Sequence, residues 1–151
     1  MIVRRTPDTG AAPTPARSGC DGLPASVARS PSGLDASAVT AVFNGLFSAR
    51  FRVRMEGGAD EPLYLPGGPG AMAVLRFRED FAASALHEAA HWCTAGAARR
   101  RLVDFGYPYV PAPRDPDAQR AFEAAEATPQ ALEAWHSAAA GLPFRPSFDD
   151  V

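Results

Sequence analysis

Between Asp35 and Phe51, apolar residues recur at spacings of three and four: Val39, Val42, Phe43, Leu46 and Phe47. That period puts them on one stripe of an amphipathic helix, and Asp35 stands where a side-chain oxygen can cap the first turn. The period then shortens. Phe51-Arg52-Val53-Arg54-Met55 alternates apolar and basic residues as a half-buried strand does, and Glu56 to Asp60 supplies a turn. A second extended piece, Leu63-Tyr64-Leu65, is closed by Pro66-Gly67-Gly68-Pro69-Gly70. A third runs from Ala71 to Arg78, with Leu75 and Phe77 on one face and Arg76 and Arg78 on the other. These pieces predict a small sheet.

Helical spacing returns after Asp80, which predicts a capped helix from Phe81 to about Ala95 with Gly96 as a left-handed terminator. Beyond Arg99 to Val103, the segment Asp104 to Pro113 is rich in aromatic residues and proline and is expected to be irregular. Two more helices are expected. One spans Pro116 to Ala127; the next has Thr128 as cap and Pro129 at its first position, and runs to about Ala140 before Gly141. Residues 1–33 carry no periodic apolar pattern and read as a disordered leader. The expected architecture is therefore one α+β domain over residues 34–151, a small sheet packed with helices.

Composition narrows the function. A chain of 151 residues suffices for one core, and 46% apolar with 21% charged residues is globular. No stretch approaches the ~20 apolar residues of a membrane span. The amino terminus starts basic but has no apolar run after it, so secretion is not expected and a cytoplasmic location is. Cys20 and Cys93 lie too far apart to suggest a disulfide framework. A net charge of −2 with mixed signs, and only the short basic run Arg99-Arg100-Arg101, argues against direct nucleic-acid binding. All 15 basic residues are arginine, which excludes a lysine Schiff base.

The chemistry concentrates in His87-Glu88-Ala89-Ala90-His91. Histidines four apart on a helix share a face, so both imidazoles can reach one metal ion, and Glu88 beside them can take a proton from bound water. A third ligand is required, because two imidazoles alone hold a divalent ion poorly. The candidates are Glu123 and Glu126, three apart on one helical face, so that one could bind metal while the other supports a histidine, and more weakly Glu133. His136 reads as a surface or packing residue. Cys93, with Trp92, points away from the histidine face and is expected to be buried rather than to bind metal. With zinc, two histidines and a carboxylate make a peptidase centre with Glu88 as base; with ferrous iron they make the facial triad of oxygen-activating enzymes.

Longer motifs rank these readings. Glu61-Pro62-Leu63-Tyr64-Leu65-Pro66, then Phe81 through Gly96, Arg99-Arg100, Leu102 through Tyr107, Phe122 through Leu132, and Ala139 through Phe144 follow one another in an order that resembles the bacterial hydroxylase family of elongation factor P. The resemblance implies a non-haem iron(II) monooxygenase that uses molecular oxygen to hydroxylate the lysine of elongation factor P already carrying a β-lysyl extension. It implies His87, His91 and Glu126 as metal ligands, with Glu126 favoured because it stands just before the matching Pro129-Gln130-Ala131-Leu132. Glu88 matches the family motif and would orient water or a ligand imidazole. Asp104 and Tyr107 are expected to line the pocket or to pack, and Arg99 and Arg100 to form a solvated helix end or to meet an acidic partner. Members of that family generally continue well past Val151, so a domain shortened at its carboxyl end is expected. A zinc metallopeptidase and a shortened, non-catalytic metal-binding relative are the alternative readings.

Overall fold

The computed structural model describes residues 33–107 and 114–146. The leader expected over residues 1–33 falls almost wholly outside them, as do residues 108–113 of the proline-rich connection. Helix α1 spans Ala36–Phe51, and Asp35 caps it by accepting the Ala38 N–H at 2.8 Å. Burial settles on Ala36, Val39 and Phe43, with Phe47 partly buried, whereas Val42 and Leu46 of the predicted stripe are exposed. The helix runs further than expected. Phe51 is its last residue and Arg52 a left-handed cap (φ 51°), so strand β1 begins only at Val53 and continues through the predicted turn to Ala59.

Strands β2, Leu63–Leu65, and β3, Ala73–Arg78, complete an α+β architecture with sheet order β1-β3-β2. The central β3 runs parallel to β1 and antiparallel to β2. A bulge between Glu56 and Ala59 interrupts the register at the two glycines, and pairing with β3 resumes at Ala59. Gly57 is needed there, because a Cβ would stand 2.7 Å from the Phe77 ring. On the free edge of β1, Asn44 of α1 substitutes for a neighbouring strand: its amide donates to the Met55 carbonyl at 3.0 Å and accepts the Met55 N–H at 2.7 Å.

One face of the sheet presents Val53, Met55, Tyr64, Ala73, Leu75 and Phe77 to the core. Burying Phe43, Leu75 and Phe77 stabilises the fold by roughly 1.5–3 kcal/mol each. Helix α2, Ala82–Arg99, packs on this face, on α1 and on the last helix. Asp80 does not cap it. A tight turn with Glu79 at φ 46° puts Phe81 at the cap position, one residue later, and Ser84 Oγ instead accepts the Arg78 N–H at 3.0 Å. Trp92 anchors the core side of α2 within a ring of Phe43, Phe47 and Phe51.

Gly96 takes positive φ as expected, but with ψ 173° it kinks α2 rather than ending it. Arg100 repairs the kink: Nε donates to the Trp92 carbonyl at 2.9 Å and its guanidinium lies 3.6 Å over the Trp92 ring. Arg99 donates to the Phe105 carbonyl and covers the Tyr107 ring at 3.7 Å. Both arginines thus serve the chain's own carbonyls and aromatic faces, not a purely solvated helix end.

The expected pair of carboxyl-terminal helices is a single helix α3, Pro116–Ala140, capped by Asp115 and ended by left-handed Gly141. Pro129 lies inside it, fully buried. Proline there removes one helical hydrogen bond, yet Pro129, Glu133, Ser137 and Ala140 form the buried face of α3, and packing on α2 carries the helix through. Among the described residues no helix is long and apolar enough to cross a membrane.

Candidate metal centre

The helical period of α2 divides its residues between two neighbours. Ala85, Ala89 and Trp92 join the core, while His87 and His91 face α3. Their Nε2 atoms stand 3.0 Å apart. Glu126 of α3 completes the cluster, with one carboxylate oxygen 3.5 Å from His87 Nε2 and the other 3.3 Å from His91 Nε2. One donor atom from each residue lies within 4.8 Å of the other two. An ion bound at about 2.1 Å would have donors about 3.0 Å apart at right angles and about 3.4 Å apart at the tetrahedral angle. The separation of the two imidazole nitrogens fits such an ion, and each imidazole has a different Glu126 oxygen close to the same span.

The remaining candidates separate clearly. Glu123 is exposed and accepts from Gln119 at 3.0 Å, so it neither joins the three donors nor supports a histidine. Glu133 instead lies beside a histidine, its Oε2 2.8 Å from His87 Nδ1. The sequence held a signal for this: Glu133 follows Glu126 by seven residues, two helical turns on the same face. His136 lies apart, half-buried, with Nδ1 lacking a hydrogen-bond partner among the described residues. Cys93 is partly rather than fully buried, and burial pushes its thiol up against the opposing pull of Arg100.

An aromatic turn frames His91. Val103–Gly106 forms a short 3-10 turn in which Asp104 (φ 45°) and Phe105 (φ 55°) are both left-handed. Phe105 stacks on Tyr64 at 4.3 Å and lies parallel to His91 at 6.4 Å, and Tyr107 meets the His91 ring edge-on at 5.8 Å. The spacing of these residues held no signal for that stack, because two consecutive left-handed residues other than glycine are set by tertiary contacts.

Electrostatics distinguishes the members. Burial pulls the His87 imidazolium down, but the Glu133 hydrogen bond and the charges of Glu88, Glu133 and Glu126 outweigh it, leaving His87 above its ordinary value. Burial pushes Glu126 up, and His91, His87 and Gln130 more than reverse that, so its carboxylate is held below the usual range. Glu88 is buried and pushed up to about 7, chiefly by burial, with Glu126 and Asp104 adding and the two histidines opposing. At neutral pH the site therefore offers an ionised carboxylate in Glu126 and a group in Glu88 able to give or take a proton.

Over 114 residues the chain is 43% identical to the elongation factor P lysine hydroxylase of Haemophilus influenzae, covering 75% of this chain and 64% of that protein. It thus spans about 64% of that relative's length. The family described as elongation factor P hydroxylase matches residues 42–151, reaching back into α1 and taking in β1, upstream of the motifs that begin near Asp60. The chain belongs to the elongation factor P hydroxylase family.

Proposed function

We propose that this protein is an iron(II)-dependent monooxygenase that hydroxylates the β-lysylated lysine of elongation factor P. The observation that carries the reading is the meeting of His87, His91 and Glu126 from two helices, within a chain of that family. Two imidazoles and one carboxylate would hold the ion on one side and leave its other positions open, as oxygen chemistry requires. When bound, iron(II) would supply activation of molecular oxygen. In balance, a C–H bond of the lysyl side chain becomes C–O–H, and the second oxygen atom leaves as water with two protons and two electrons from a reductant.

The chain's own residues supply the setting. His87 and His91 give nitrogen donors, Glu126 gives the anionic one, and buried Glu88 holds or releases a proton beside them. Phe105 and Tyr107 enclose His91 in apolar surface that limits water on that side. The second reading is a zinc peptidase, favoured by the place of buried Glu88 directly after His87 in the two-histidine motif, where it would act as general base.

Intact-mass measurement of β-lysylated elongation factor P, incubated with the iron-loaded protein, oxygen and a reductant, decides between them. The proposal expects a gain of one oxygen atom that disappears with His87→Ala. Stable zinc that iron cannot replace, together with peptide cleavage abolished by Glu88→Gln, would sink it. Metal uptake with no mass gain and no cleavage would leave a binding relative without turnover.

A further inference from the structure

Glu133 stands outside the three-donor cluster, yet its side chain is only 5% exposed and its Oε2 touches His87 Nδ1 at 2.8 Å. We infer that Glu133 is a positioning residue of the metal centre: it accepts the Nδ1–H of neutral His87, fixing the tautomer that leaves Nε2 free for the ion. A carboxylate only accepts hydrogen bonds, and a neutral imidazole carries one proton on one of its two nitrogens. With that proton on Nδ1, His87 Nε2 is bare.

The consequence passes to His91. Two bare nitrogens 3.0 Å apart would repel, so in the metal-free protein His91 Nε2 carries the proton across that contact. His91 Nδ1 is then bare as well, buried and without a hydrogen-bond partner among the described residues. The two ligands therefore differ in readiness. His87 is preset for metal, whereas His91 must give up its Nε2 proton first, and Glu133 is the source of the difference. Because Glu126 and Glu133 belong to one helix, α3 presents both a donor to the ion and a brace for the opposite nitrogen of His87. Pro129 between them is fully buried, which holds that stretch of α3 against its neighbours.

This inference rests on His87 being a metal ligand, and two measurements test it. Long-range proton–nitrogen correlation spectra of the metal-free protein at alkaline pH should show His87 protonated on Nδ1 and His91 on Nε2. Chelator competition with cobalt(II) should show Glu133→Ala weakening metal binding by about 10–100-fold, while Glu133→Gln, whose amide oxygen can accept the same N–H, keeps most of the affinity. Purely structural support by Glu133 would lower stability in both variants and leave the tautomer unchanged. His87 protonated on Nε2 in the wild type, or a folded Glu133→Ala variant within about twofold of wild-type affinity, overturns the role; the wild-type spectra decide the matter if that variant does not fold. A wild-type protein that takes up no cobalt overturns the metal centre and this inference together, whereas uptake with unchanged affinity in Glu133→Ala overturns only the inference.

Discussion

Asp104 accepts the backbone N–H of Tyr64 at 2.8 Å, tying the aromatic turn to the sheet across 40 residues of chain. The bond fixes the stack of Tyr64 on Phe105, and Phe105 in turn lies along His91. Asp104→Ala should therefore cost about 1–2 kcal/mol in denaturant unfolding by leaving a half-buried N–H unpaired. Asp104→Asn retains an acceptor and tolerates the left-handed backbone, so its cost should be the smaller of the two. Equal losses in the two variants would contradict this account of the turn.

Glu126 and Glu123 are three residues apart but face different surroundings. Glu126→Gln should weaken cobalt(II) binding by more than the about 10–100-fold expected for a supporting residue. Glu123→Gln should bind as the wild type does, since Glu123 is exposed and accepts from Gln119 at the surface. Retained metal in the first variant and an emptied site in the second would move the third ligand to Glu123.

Metal uptake should depend on pH through His87, because a ligand imidazole must be neutral. Its raised value means that protons compete at a higher pH than they would at an ordinary histidine. Affinity should level off at alkaline pH and fall about tenfold per unit once the medium drops below the His87 value. Glu126, held low, stays ionised through that range. In Glu133→Ala the decline should begin at lower pH, as a titration of metal affinity would reveal.

Glu88 gives the opposite sign for folding of the metal-free protein. Its folded value lies above the ordinary 4.5, so the cost is absent at acid pH, grows as pH rises toward about 7, and is constant beyond. At about 1.4 kcal/mol per unit, Glu88→Gln should stabilise the metal-free protein by on the order of 3 kcal/mol at alkaline pH and by little at acid pH. Unfolding curves at the two extremes measure it; a gain independent of pH would show that the charge is not the cause.

Two glycines at which an added methyl group would meet nothing among the described residues should respond in opposite directions. Gly96 has φ 69° and ψ 173°, so Gly96→Ala should cost on the order of 1–3 kcal/mol through backbone strain alone. Gly45 lies inside α1, with nothing among the described residues within 4 Å of an added Cβ, and Gly45→Ala should gain about 0.5–1 kcal/mol from helix propensity. Denaturant midpoints with unchanged slopes would check both signs.

The local pattern determined much of this protein. Asp35 caps its helix, Leu63–Leu65 and Ala73–Arg78 pair as strands, and His87 and His91 share a face, because each depends on periodicity or on a residue's own backbone preference. Where the local signals failed, distant contacts outweighed them: the face of Glu133 and Ser137 carried α3 through Pro129, the Gly58 N–H donated to the Glu79 carbonyl so that pairing of β1 with β3 resumed at Ala59 beyond the bulge, and a tight turn displaced Asp80 from its cap. The candidate site divides in the same way. Four-residue spacing put the two imidazoles together without help, and the family motifs favoured Glu126. Only the packing of α3 on α2 decided that Glu126 meets both imidazoles, that Glu133 reaches the far nitrogen of His87, and that Glu123 faces solvent, since helix periodicity fixes which residues share a face but not what that face meets.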